Sequence, residues 1–236
     1  LGILVSDLAQ ALGVPPATVG AYAKALREAK LIRSSGRGTS AARMQIEDGA
    51  VLLTAMLASP SIAEAPKLTK QALRLPFVGS VVAPVDRDDS VDSKRMLRSI
   101  ERSPLDADAP HVFENAIHTL LSTALLNVPD GHGALPDESN DYSDFWSGEA
   151  VQITFGFPIP VAIVDTRINK IDVRRHVFGG RSKFEGHAKW SGFDLLDWEA
   201  KLSGQEFTQA RRVGARAILA TAASLMKPIK TTRERR

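Results

Sequence analysis

Three side chains able to ligate a metal recur at regular spacing: His111, Glu114 and His118 stand at i, i+3 and i+7. On a helix that spacing brings them near one face, and imidazoles with a carboxylate form a zinc-type ligand set. A zincin helix differs, placing its two histidines four apart with a glutamate after the first. Polar residues on the flank of a surface helix explain the trio more simply, so no metal site is assigned. A second set, Asp165, Asp172, Glu185 and Lys189, holds the carboxylates and lysine of a metal-dependent nuclease but follows no trusted motif. A third, Asp137, Glu138, Asp141 and Asp144, lacks the alternate ligand positions, central glycine and terminal glutamate of an EF-hand loop. It reads as a solvated acidic loop, or as one that competes with DNA for a basic patch. Trp146, Trp190, Trp198, Phe145 and Phe193 are better explained by core packing than by a ligand pocket. No Gly-x-Ser-x-Gly nucleophile elbow and no phosphate-binding Gly-x-x-x-x-Gly-Lys occurs. The expectation is therefore a binding protein with no catalytic residue, metal or cofactor. A metal-dependent hydrolase or nuclease is the lesser alternative.

The distribution of charge points elsewhere. The chain has 236 residues, 44% of them hydrophobic and 24% charged, with a net charge of +3. That composition suits an ordinary globular protein rather than a disordered one. From Gly13 to Ile46 there are six cations (Lys24, Arg27, Lys30, Arg33, Arg37, Arg43) and one anion (Glu28). From Pro129 to Glu149 there are six anions and no lysine or arginine. The molecule is polarised, with its positive charge concentrated near the start. There is no cysteine, which removes disulfides, thiolate metal sites and cysteine nucleophiles and fits a reducing compartment. No apolar run approaches the roughly 20 residues of a membrane span, and no signal peptide is visible. A soluble, cytoplasmic protein without membrane contact is expected. The chain opens on Leu1 rather than methionine, which leaves open whether residues precede it.

The elements that would carry the basic stretch follow in order. Gly2 to Val5, partly β-branched, reads as a short strand. Ser6-Asp7 offers an N-cap for a helix with Leu8, Ala9 and Leu12 on its apolar face. Gly13 ends that helix, Val14 reaches the core, and Pro15-Pro16 opens a second helix. In it Val19, Ala23 and Leu26 form the buried face, while Gly20, Ala21 and Lys24 project outward. Gly20 costs a helix about 1 kcal/mol relative to alanine, which close approach to a DNA backbone, or tight helix packing, would explain. Leu31-Ile32-Arg33 reads as a strand, Ala42 to Ile46 as its partner, and Ser34 to Ser40 as the glycine-rich loop between them. Glu47-Asp48 begins a further helix with Leu52, Leu53, Met56 and Leu57 along one face.

The order Ser6-Asp7-Leu8-Ala9-Gln10-Ala11-Leu12-Gly13-Val14, then Thr18-Val19 in a following helix, then Leu31-Ile32 and a basic loop, resembles the winged helix-turn-helix of bacterial transcription regulators, a module recurrent in prophages and mobile elements. The resemblance covers about a fifth of the chain. It departs from the family in two places. The full helix that usually precedes the first strand is missing, and would have to come from residues 47–58, a partner subunit or upstream sequence. Lys30 also stands where the family favours glycine. The resemblance implies a recognition helix at 17–29 in the major groove of double-stranded DNA and a wing at 33–43. Thr18, Gly20, Ala21, Lys24 and Arg27 would face bases and nearby phosphates. Arg37 would enter the minor groove or grip its backbone, with Arg33, Thr39, Ser40 and Arg43 completing the contact.

The remaining chain predicts less chemistry. Ser59 to Ala72 reads as a linker, Leu73 to Val85 as a segment with one strand, and Ser93 to Arg102 as a helix. Pro110 to Asn127 is a strong helix with a wide apolar face, suited to a core or a dimer seam. Val151–Phe157, Val161–Thr166 and Lys170–Phe178 suggest a three-strand antiparallel meander. Trp190 to Leu202 reads as a short helix, Thr208 to Met226 as a long one, and the cationic tail from Lys227 as frayed. The fold class expected is α+β: a winged helix-turn-helix at 1–58, a linker at 59–72, and an α+β domain with a small antiparallel sheet at 73–236. The function expected is sequence-specific transcriptional regulation by a homodimer, with helices 110–127 and 208–226 as the dimer seams and any small-molecule effector unidentified. The alternatives are a carboxy-terminal enzyme or ligand-sensing domain, or a replication or partition factor.

Overall fold

The computed structural model describes residues 1–33, 44–84, 105, 111–127, 151–157, 161–168, 172–179 and 209–226. The expected helices at 93–102 and 190–202, the acidic loop, the loop and wing residues 34–43 and the tail lie outside the described residues.

The protein is α+β, with six helices and a five-stranded antiparallel sheet among the described residues. The helices are α1 (Gly2–Leu12), α2 (Pro16–Glu28), α3 (Ile46–Ala58), α4 (Ala65–Leu73), α5 (Phe113–Asn127) and α6 (Ala215–Met226). The strands are β1 (Phe77–Pro84), β2 (Val151–Phe157), β3 (Val161–Ile168), β4 (Asp172–Gly179) and β5 (Gln209–Gly214), ordered β1-β4-β3-β2-β5. The expected meander is present as β2-β3-β4, because its strands alternate and their connections are short. β1 adds to β4 and β5 adds to β2, extending it on both sides.

Two elements differ from the sequence reading. Gly2–Val5 is not a strand but the first turn of α1, so Ser6-Asp7 lies inside a helix rather than capping one. Leu4, Leu8 and Ala9 are buried along α1, and that three-to-four periodicity outweighs the β-branched Ile3 and Val5. Residues 209–214, read as the start of a long helix, form β5 instead; only Ala215–Met226 is helical. The backbone of β2 supplies the partner that draws this segment into the sheet, a contact more than fifty residues away in sequence.

The core has two layers. One face of the sheet presents Ile153, Phe155, Ala162, Val164, Phe178 and Val213 to the helices. Phe113 at the start of α5 meets Phe155 and Phe178 edge-on, with centroids 6.2 and 5.6 Å away. Backbone bonds from Phe77 N–H to His111 O and from Phe113 N–H to Leu75 O, 3.0 and 2.9 Å long, tie the beginning of β1 to the beginning of α5.

Helix α3 is the axis of the helical layer. Its sequence is apolar all round, so it is buried from Asp48 through Ala58 rather than along one face. It contacts α2, α4, α5 and α6. At its crossing with α6 a Cβ on Gly49 would lie 2.9 Å from Thr221 Cγ2 and 3.3 Å from Leu225 Cδ1. Gly49→Ala gains roughly 1 kcal/mol of helix propensity, but overpacking at such a contact typically costs about 1–3 kcal/mol. Chemical denaturation should therefore show a net loss of about 1 kcal/mol. Equal or higher stability would mean that the two helices do not need the glycine.

The stretch 59–72, expected as a linker, carries α4, and its first residue is fully buried. Tyr22 Oη donates to Ser59 O at 2.9 Å, and α1 packs directly on α6. One buried cluster runs from Leu4 to Leu225. Helices α5 and α6, expected as dimer seams, turn their apolar faces onto each other and onto α3 within this single chain. No helix among the described residues is long and apolar enough to cross a membrane.

Candidate nucleic-acid interface

The two amino-terminal helices are joined by a tight turn. α1 ends in a Schellman cap: Gly13 adopts φ 67°, Gly13 N–H donates to Gln10 O, and Val14 N–H donates to Ala9 O. α2 starts at Pro16, where a missing N–H leaves no helical bond unmade. Val19, Tyr22, Ala23 and Leu26 are buried, which fixes the rotation of α2 about its axis. Tyr22 was missed by the sequence reading, because its ring and its hydroxyl both find partners only in the folded chain. Ala17, Gly20, Ala21, Lys24 and Glu28 fall on the opposite arc at helical spacing, with Arg27 at its margin.

Lys24 is exposed and lies 3.9 Å from Glu28, a solvent-screened pair one turn along the helix. Arg27 and Lys30 are exposed too. Among the described residues a Cβ on Gly20 would meet only Val5 Cγ1, at 3.9 Å, so none of them requires glycine there. Thr18 is half-buried at the flank of the arc and does not share it. α2 ends in a second Schellman cap. Lys30 holds φ 57° at the position where glycine is usual, with Lys30 N–H on Arg27 O and Leu31 N–H on Leu26 O. The departure of Lys30 from the family pattern therefore leaves the left-handed turn intact.

The expected strand 31–33 does not form: Ile32 is buried in irregular chain, and Ile46, expected in its partner strand, opens α3. A single carboxylate takes over the joining role. Asp48 accepts from Arg33 N–H at 3.1 Å and from Gln45 N–H at 2.9 Å. It also forms a capping box with Gln45 at the start of α3. The chain thus leaves at Arg33 and returns at Gln45 on the two oxygens of one buried side chain. Nothing in the local pattern of acids marked Asp48 for this role beyond its place in the first helical turn. Arg33 is bound locally as well, with its guanidinium 3.0 Å from Glu47 and 3.7 Å from Asp48. Its charge is balanced within the protein, whereas Arg27 has no ion pair among the described residues. Arg37, Thr39, Ser40 and Arg43 lie outside the described residues.

Part of the alternative ligand sets lies among the described residues. His111 is exposed, Glu114 and His118 are half-buried, and among the described residues no three histidine or acidic side chains converge on a cation site. Asp165 is held by both Arg175 Nε and Nη2, at 2.7 and 3.0 Å. Asp172 sits at the far end of β4 opposite Ile168, and Glu185 and Lys189 lie outside the described residues. No known family model, curated protein or solved structure matches this chain.

Proposed function

We propose that the chain is a DNA-binding regulator that reads double-stranded DNA with the outward arc of α2. The observation that carries this reading is the division of α2 into two sides. One side is locked into the core by Val19, Tyr22, Ala23 and Leu26, and the other offers, after a tight turn, short residues and the exposed cations Lys24 and Arg27 around Glu28. Ala17, Gly20 and Ala21 let the helix backbone approach a groove, while Lys24 and Arg27 reach bases or phosphates. The basic segment between Arg33 and Gln45, drawn together at its base by Asp48, supplies flanking contacts through Arg37, Thr39, Ser40 and Arg43. With so few long donors on α2, the shape of the duplex carries much of the specificity. Two copies on half-sites about 34–36 Å apart would extend the reading to a useful length.

The test is selection of bound duplexes from a random pool, followed by anisotropy titrations at several salt concentrations. Lys24→Ala with Arg27→Ala should weaken binding and flatten the log–log salt dependence by roughly two units. The melting temperature should stay within about 1 °C, because both side chains are solvent-exposed. Equal affinity and equal salt slope in wild type and variant would remove α2 from the interface.

A further inference from the structure

Behind α2, on the side away from the cationic arc, lies an open cleft of about 560 Å³. Its walls come from the turn after α1 (Val14), the flank of α2 (Thr18 and Tyr22), the α3–α4 connection (Ile62) and the edge strand β5 (Arg211 and Arg212). Most of the lining is apolar, and among the described residues it holds two arginines but no aspartate or glutamate. Ile62 is one of the few large hydrophobic side chains left exposed among the described residues.

The two arginines differ. Arg211 Nη1 donates to Met56 O and Ser59 O, at 3.0 and 2.6 Å, and so caps the carbonyl end of α3. That fixes the guanidinium in place while only one of its nitrogens is used within the described residues. Arg212 is exposed and forms no ion pair among the described residues. A positioned guanidinium and a second arginine lining the same largely apolar cleft match a ligand with a charged head and a greasy body. The volume lies within the range of about 300–1,000 Å³ usual for small-molecule sites.

We propose that this cleft binds a small organic anion: an apolar, ring-sized body against Val14 and Ile62, with a carboxylate against Arg212 and the remaining donors of Arg211. Such a ligand touches the turn between α1 and α2 and the flank of α2 at Thr18. Its occupancy then biases the position of the helix assigned to DNA, and by linkage DNA alters its affinity in return. This coupling rests on the DNA reading above; the binding itself does not.

The experiment is calorimetric titration of the full chain with 2-naphthoate and, separately, with its neutral amide. Wild type should bind naphthoate saturably at one site and the amide roughly tenfold more weakly, the difference expected for one lost charge-assisted contact. Arg212→Gln should weaken naphthoate by a similar factor. Ile62→Asp, which removes apolar wall and adds a repelling charge at an exposed position, should weaken it by at least as much. Melting temperatures check that both variants are folded. Absence of saturable binding to wild type, equal affinity for acid and amide, or equal affinity across all three proteins would overturn the proposal. A second titration adds DNA at saturating naphthoate. A shift in DNA affinity in wild type that vanishes in Ile62→Asp supports the coupling, whereas unchanged DNA affinity with naphthoate bound overturns the coupling. A chain that binds naphthoate but no DNA at all would count against the DNA reading and leave the cleft standing.

Discussion

Replacing Phe113 with alanine is expected to lower the free energy of unfolding by about 3–5 kcal/mol. The ring is completely buried and lies where the helical layer meets the sheet. It contacts Phe155 of β2 and Phe178 of β4, so one side chain bridges α5 to two strands. Edge-to-face pairs of this kind add about 0.5–1.5 kcal/mol each beyond the burial of apolar area. The backbone cannot follow a shrinking side chain, because Phe113 N–H is bound to Leu75 O. A cavity is the expected outcome, and Phe113→Leu, which fills much of it, should lose less. The check is a urea titration in which the midpoint falls while the slope holds. A loss below about 1 kcal/mol would show that this ring does not join the two layers.

The second large effect is expected at Asp48. Asp48→Ala should cost about 3 kcal/mol, because two backbone N–H groups lose their acceptor, one of them the Gln45 N–H of the capping box. The carboxylate is only 2% exposed, so water replaces it poorly. Arg33 loses its buried partner at the same time and, among the described residues, keeps only Glu47. Asp48→Asn separates geometry from size. An amide has one acceptor oxygen, so it satisfies either Arg33 N–H or Gln45 N–H and turns a donor toward the other. About half of the loss should return. If the two substitutions are equally harmful, or both harmless, the account of one carboxylate holding both chain segments fails. Under the DNA reading, Asp48→Ala should also weaken DNA binding at a temperature where the protein is still folded, because the basic segment loses its anchored base.

Local signals made much of the architecture readable from the chain. Gly13 and Pro15-Pro16 placed the α1–α2 turn because each has a conformational reason to sit there. Val19, Ala23 and Leu26 gave the inner face of α2, and Glu47-Asp48 the start of α3. The meander β2-β3-β4 followed from alternation and turn residues in consecutive segments. These features depend on neighbours within a few residues, and the sequence displays such neighbours directly.

The features that were missed depend on partners far along the chain. β5 becomes a strand because β2 offers it backbone donors and acceptors, not because residues 209–214 favour extension. The apolar faces of α5 and α6 fill one core, because the sheet and α3 present apolar surface to both. A periodic apolar face states that something must cover it; only the folded chain states what does.

The same division runs through the candidate interface. By itself the sequence determined that α2 has a buried side and a cationic side, since side-chain type and helical spacing suffice for that. The tertiary structure alone decided that Arg33 is neutralised by Glu47 and Asp48, while Arg211 caps α3 and faces a cleft. An arginine is the same letter in either role. Its role is fixed by which oxygens lie within hydrogen-bond reach, and those oxygens are brought there by packing between segments as much as 155 residues apart.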